Sequence, residues 1–188
     1  MYCDIPSNAE ITRGHQPRFS ILTLIFKFLT NRKIWESSFD HWSRFKMLYM
    51  NGSAYGGVFA SAKNGFAKFV QDMLKDNPKL FSASAKQCFF SDQVDSSGHI
   101  LPTTLGWHRG HLVVDNHGPS KVLYFGKPGG GPGYHSNVRI YPELGIRTIF
   151  FANKTEVSAD KINSLSDRLD EESLIEAMQE DSLAGNRL

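Results

Sequence analysis

Hydrophobic positions recur with two different periods along this chain, and the change falls near Thr104. Upstream, Phe66, Phe69, Val70, Met73 and Leu74 follow the i, i+3, i+4, i+7, i+8 spacing of one buried helix face. Ser61 is placed to cap this helix, and Asn77-Pro78 ends it, because proline disfavours helix at the residue before it. From Thr104 the period shortens toward two, and residues 105–114, 122–125, 134–141 and 146–152 read as strands. Turn signals separate them at Asp115-Asn-His-Gly-Pro119, at a glycine-rich run, and at Pro142-Glu-Leu-Gly145. Links this short favour an antiparallel meander. Ser158 opens a closing helix with Ile162, Leu165 and Leu169 on one face, and the acidic tail from Asp170 reads as frayed.

The first third is less regular. Residues 1–18 mix Pro, Asn, Arg and His without a period and read as a loop or frayed end. The most apolar run is Phe19 to Leu29, interrupted by Lys27, and predicts a buried helix or strand. It falls short of the ~20 apolar residues a bilayer span needs, so no membrane span is expected. Asp4 and Glu10 precede it and Thr30-Asn-Arg-Lys33 follows it, which argues against a signal peptide. Asp40 to Tyr49 holds Trp42, Phe45, Leu48 and Tyr49 and reads as a helical or extended packing segment. The fold class expected is α+β: an antiparallel sheet flanked by helices.

Composition narrows the function classes. Lysine and arginine total 21 against 19 aspartate and glutamate, a net charge of +2 with no sustained basic block, so nucleic acid is a poor partner. Fourteen Phe and sixteen Gly fit aromatic strands joined by glycine turns. Cys3 and Cys88 form no metal or redox spacing. His108 and His111 fall on opposite faces of a strand, and with His117 they find no Cys or carboxylate at zinc spacing, so no metal is expected. Gly126-Lys127 is followed by proline rather than Ser/Thr, and no glycine sits five residues before it, which excludes a nucleotide-binding P-loop.

The richest stretch is Gly126-Lys127-Pro128-Gly129-Gly130-Gly131-Pro132-Gly133, followed by 137–142 and by 145–154, which ends Ala152-Asn153-Lys154. It resembles the third active-site motif of the serine β-lactamases and penicillin-binding proteins. There a Lys-(Thr/Ser)-Gly on one strand borders the catalytic serine, and class C members continue through a Gly-rich segment and Pro turn to Ala-Asn-Lys. Tyr55-Gly56-Gly57-Val58-Phe59-Ala60-Ser61 is similar to a Gly-Gly turn of the same hydrolases, which extends the likeness over 53–169. Residues 1–52 would then be a lead-in of uncertain role and 170–188 a tail.

The resemblance implies a partial β-lactamase/transpeptidase-like fold and a set of roles. Lys127 would stabilise developing negative charge or hold a substrate carboxylate. The Gly130 N–H would form half of an oxyanion hole, where one donor is worth on the order of 3 kcal/mol in the transition state. Gly129 would let the backbone approach the substrate, and Asn153 would lie near its acidic group. The substrate would be a small ester or amide, hydrolysed through an acyl-enzyme without metal or organic cofactor. Pro128 departs from the motif, since proline has neither the hydroxyl that binds the acidic group of β-lactams nor an N–H. That favours the esterase or peptidase branches.

The nucleophile is the missing part. The family's Ser-x-x-Lys occurs here as Ser43-Arg-Phe-Lys46 and Ser158-Ala-Asp-Lys161, and Tyr49-Met-Asn51 imitates its Tyr-x-Asn element. Ser158 lies after Lys127, in the wrong chain order, and Ser43 lies immediately before the Gly-Gly turn. The expected catalytic serine would therefore belong to an N-terminal half upstream of Met1 or to another chain. The rival expectation is a non-catalytic binding or structural remnant of the same fold. An independent hydrolase using Ser43 and Lys46 is a third, weaker option.

Overall fold

The computed structural model describes residues 12–36, 38–45, 65–115, 118–131, 133–155 and 159–185. The chain forms an α+β structure with antiparallel strands flanked by helices. It divides into two compact units that interleave along the sequence. The first contains the described residues of Met1–Ala62, Gly129–Ser136 and Phe151–Val157; the second contains those of Lys63–Pro128, Asn137–Phe150 and Ser158–Leu188.

In the first unit, β1 (Gly14–Pro17) pairs antiparallel with β2 (Trp42–Phe45), with His15 opposite Arg44 and Gln16 opposite Ser43. Residues 14–17 are therefore strand and not loop: polar residues enter it because their backbone groups are paired. Between the strands lies α1 (Ile21–Leu29), capped by Ser20, whose hydroxyl accepts the Thr23 N–H at 3.1 Å. The apolar run is a helix, yet it is not buried. Phe28 is 89 % exposed and Ile21 and Leu22 are 75 % exposed, whereas Thr23 is fully buried.

In the second unit, β3 (His108–Asp115), β4 (Pro119–Gly131), β5 (Tyr134–Tyr141) and β6 (Ile146–Ala152) run in that spatial order, the first and last belonging to the sheet's two sides. The parts of β4, β5 and β6 within 119–128, 137–141 and 146–150 belong to this unit. Side chains alternate across it. Phe125, Val138, Ile140 and Ile149 face α2 (Ala67–Leu74) and α3 (Ala83–Phe90), where they pack with Val70, Met73 and Trp107. Leu112, Val114, Val122 and Tyr141 face the long α4 (Ala159–Gly185) and pack with Leu174. Residues 137–141 are buried on both faces, so each large apolar side chain there contributes about 1.5–3 kcal/mol before entropic costs. Gly145, in the left-handed region at φ 64°, closes the short 3-10 turn Pro142–Leu144 that leads into β6.

Two readings of α4 need correction. Its buried positions are Ser166, Asp170 and Leu174, while Leu165 and Leu169 are 44 % and 46 % exposed. Asp170 does not begin a frayed tail: the helix runs on to Gly185, and Asp170 is 1 % exposed. The reason is chemical. This face meets polar residues of β5, so polar side chains point inward. Arg139 Nη1 donates to Asp170 Oδ2 at 3.1 Å and to Asp167 Oδ1 at 2.6 Å; Tyr141 Oη donates to Asp170 Oδ2 at 2.7 Å; Asn137 Nδ2 donates to Ser166 Oγ at 3.1 Å.

The Ser61 cap, the 55–61 turn, Lys46, Tyr49 to Asn51, His117 and Ser158 lie outside the described residues. No described helix is long and apolar enough to cross a membrane.

Candidate functional site

The glycine-rich run is a strand rather than a turn: Gly126–Gly131 continue β4, and the reversal into β5 falls at Gly133, with φ 77°. The β3–β4 ladder begins at Asp115 opposite Pro119 and ends at His108 opposite Gly126. From Lys127 to Gly131 the strand continues past its last β3 partner, so this side of its backbone is not taken up by that ladder.

Lys127 is exposed and belongs to the second unit; Gly129, Gly130 and Asn153 belong to the first. At Gly129 a Cβ would sit 2.6 Å from Ser136 Oγ, so any larger residue there would have to turn the Ser136 hydroxyl aside. At Gly130, which is exposed, a Cβ would meet His135 Nδ1 at 3.4 Å and the Tyr134 carbonyl at 3.8 Å.

Asn153 follows β6 and is exposed, but its groups are engaged. Its Nδ2 donates to the Arg13 carbonyl at 3.1 Å, and its own carbonyl accepts the His15 backbone N–H at 3.0 Å and faces His15 Nδ1 at 3.0 Å. The Gly133 carbonyl also accepts from the His15 N–H, at 3.4 Å, and the Gly133 N–H donates to Thr155 Oγ1. Thus β1 gathers the end of the glycine run and the end of β6 around His15. Tyr134 Oη donates to the Thr12 carbonyl at 2.6 Å, and burial raises its phenol above the ordinary range. Lys154 Nζ lies 3.7 Å from the centroid of the Trp42 ring, a cation–π contact.

Sequence reasoning missed His15, Tyr134, His135 and Thr155 as members of this group. His135 Nε2 is buried with no hydrogen-bond partner, and burial holds the imidazole below its ordinary pKa. The sequence offered one signal, the run Gly133-Tyr134-His135-Ser136 directly after the glycines, where polar side chains stand side by side within a strand.

The serine readings also take a definite geometry. Ser43 Oγ accepts from Lys27 Nζ at 3.0 Å, so its lysine partner is Lys27. Ser43 is 0 % exposed. Among the described residues no other serine hydroxyl is joined to a lysine or histidine side chain. His108 and His111 are both exposed on β3, and the described residues hold no cluster of three metal-ligating side chains. A shallow open groove along α3, lined by Ala83, Lys86, Gln87 and Phe90, includes none of the expected site residues. No protein-family model, curated protein or solved structure matches this chain.

Proposed function

We infer that the glycine-rich edge of β4 is the substrate-side wall of a β-lactamase-related serine hydrolase site, one that lacks its own nucleophile. The observation that carries this reading is the continuation of β4 past its last β3 partner. In this reading an extended acyl ligand takes the place of β3 along that stretch, bonding to its backbone N–H and C=O groups. Gly130 is exposed beside the His135 ring, and Asn153 stands beside the same β1 residues as the Gly133 turn. Such donors stabilise an oxyanion but do not make the covalent bond, which needs a serine activated by a neighbouring base. The substrate class is a small ester or amide.

The buried Ser43–Lys27 pair separates this reading from an independent hydrolase. We expect the full chain, treated with a fluorophosphonate or a fluorescent penicillin, to show no adduct by intact mass. A stoichiometric adduct abolished by Ser43→Ala would overturn the assignment and make Ser43 the nucleophile.

A further inference from the structure

We propose that α1 is an in-plane attachment helix for an anionic lipid bilayer. A surface helix of a globular protein turns its apolar stripe to the core and its polar face to water. In α1 this is reversed. At ~100° per residue, Leu24, Phe28, Ile21, Ile25, Leu29 and Leu22 form one arc of roughly 160°, and every one of them is at least half exposed. The opposite side faces inward with Thr23, fully buried, Lys27, which donates to Ser43, and Phe26, whose ring packs edge-on against Trp35 at 5.5 Å. The helix is thus held to its unit by its polar side and presents its apolar side outward. Phe19, 76 % exposed, extends the apolar surface at the N-terminal end, with the Arg18 guanidinium 5.3 Å from its ring centroid.

Charge selects the occupant. Between Arg18 and Lys33 the chain carries Arg18, Lys27, Arg32 and Lys33 and no Asp or Glu, a local charge of +4 against +2 for the whole chain. The nearest acid, Glu36, is engaged by Arg13 at 3.2 Å and Arg44 at 3.1 Å. Exposed Arg18, Arg32 and Lys33 therefore flank both ends of the apolar arc without local neutralisation. A second copy meeting this face through a two-fold axis would bring those cations against one another. An anionic headgroup layer satisfies both features at once, taking the apolar arc into its acyl boundary and the basic flanks at its phosphates. Nine residues at 1.5 Å each span about 14 Å, far short of the hydrocarbon core, so the helix lies in the interface and does not cross it.

The test is co-sedimentation of the full chain with vesicles of phosphatidylcholine containing 30 % phosphatidylserine, beside vesicles of phosphatidylcholine alone. We expect binding to the anionic vesicles to be at least 10-fold tighter and to weaken as salt rises. Phe28→Ser and Ile25→Ser, at exposed positions, should lower it at least 10-fold with unchanged circular dichroism. Arg18→Gln with Arg32→Gln and Lys33→Gln should remove the preference for anionic lipid. Failure of the unaltered chain to bind either vesicle would overturn the proposal. So would concentration-dependent dimerisation, abolished by Phe28→Ser, without vesicle binding; that result would assign the face to a second copy.

Discussion

Asp170 holds two buried groups of β5 at once, the Arg139 guanidinium and the Tyr141 hydroxyl, so its replacement affects both. Burial alone would disfavour the Arg139 charge, but its bond to Asp167, with Tyr141 and Asp170 alongside, holds the guanidinium above its ordinary pKa. Burial first, and then the adjacent Asp170 carboxylate, raises the Tyr141 phenol, so it stays a donor. Losing one member of a buried pair strands the other in low dielectric, whereas replacing both with apolar residues removes the problem. Urea unfolding should show Asp170→Leu and Arg139→Met each losing about 3–5 kcal/mol, with the double variant no worse than either single one. Simple addition of the two losses would show that the pair is not energetically coupled. The alternation over 137–141 was legible as a strand, but its polar members gave no sign of facing inward. Arginine and aspartate default to solvent in any sequence reading, and the pairing of Arg139 with Asp167 and Asp170 across two elements makes the buried position tolerable.

Among the elements, strands and turns were the most legible. The span of β6 and the turn at Gly145 were plain because a period-two run ends at a residue able to take φ 64°. α2 was legible because Val70 and Met73 are buried by apolar partners, so its hydrophobic stripe marks its inner face. α1 and α4 were misread for one common reason: polar side chains share the docking face, as Lys27 does in α1 and Ser166 and Asp170 do beside Leu174 in α4, so the apolar positions picked from sequence mark the wrong side. α3 gave little periodicity, since its packing is carried by Phe89 and Phe90 at one end, against Phe81 and Phe125. The exit from α2 carries a pH dependence. The Asp72 carboxylate accepts the Leu80 and Lys79 N–H groups at 2.7 and 2.8 Å and Lys75 Nζ at 3.1 Å, and these bonds, the Leu80 one foremost, hold its pKa below the ordinary value despite burial. A depressed carboxylate stabilises the fold above its unfolded pKa and loses that contribution as pH falls through the folded one. Amide exchange at Lys79 and Leu80 should therefore accelerate, relative to intrinsic rates, as pH drops below about 3.9. Asp72→Asn should remove that pH dependence; an unchanged acid profile in the variant would assign it elsewhere.

For the whole molecule, the meander of the second unit follows from short turn-linked strands, and of its helices only α2 was marked by its apolar stripe. The interleaving of the units does not, because it depends on β1 receiving the Gly133 and Asn153 carbonyls from positions more than a hundred residues away. The candidate site was legible to the same partial degree. Gly129, Gly130 and Asn153 announced themselves through the glycine run and the Ala-Asn-Lys ending; His15 and Thr155 sat in segments without pattern. The functional claim at this scale is that the chain binds an acyl ligand along β4 without reacting with it. The most direct measurement is a titration of the ¹⁵N-labelled chain with phenylacetylglycine, an acyl amide bearing a carboxylate, followed through the backbone amide resonances. The account expects saturable shifts at Gly130 and Asn153 and no covalent adduct by mass. Unmoved Gly130 and Asn153 resonances at saturating ligand, or shifts confined to Ala83, Gln87 and Phe90 along α3, would contradict it.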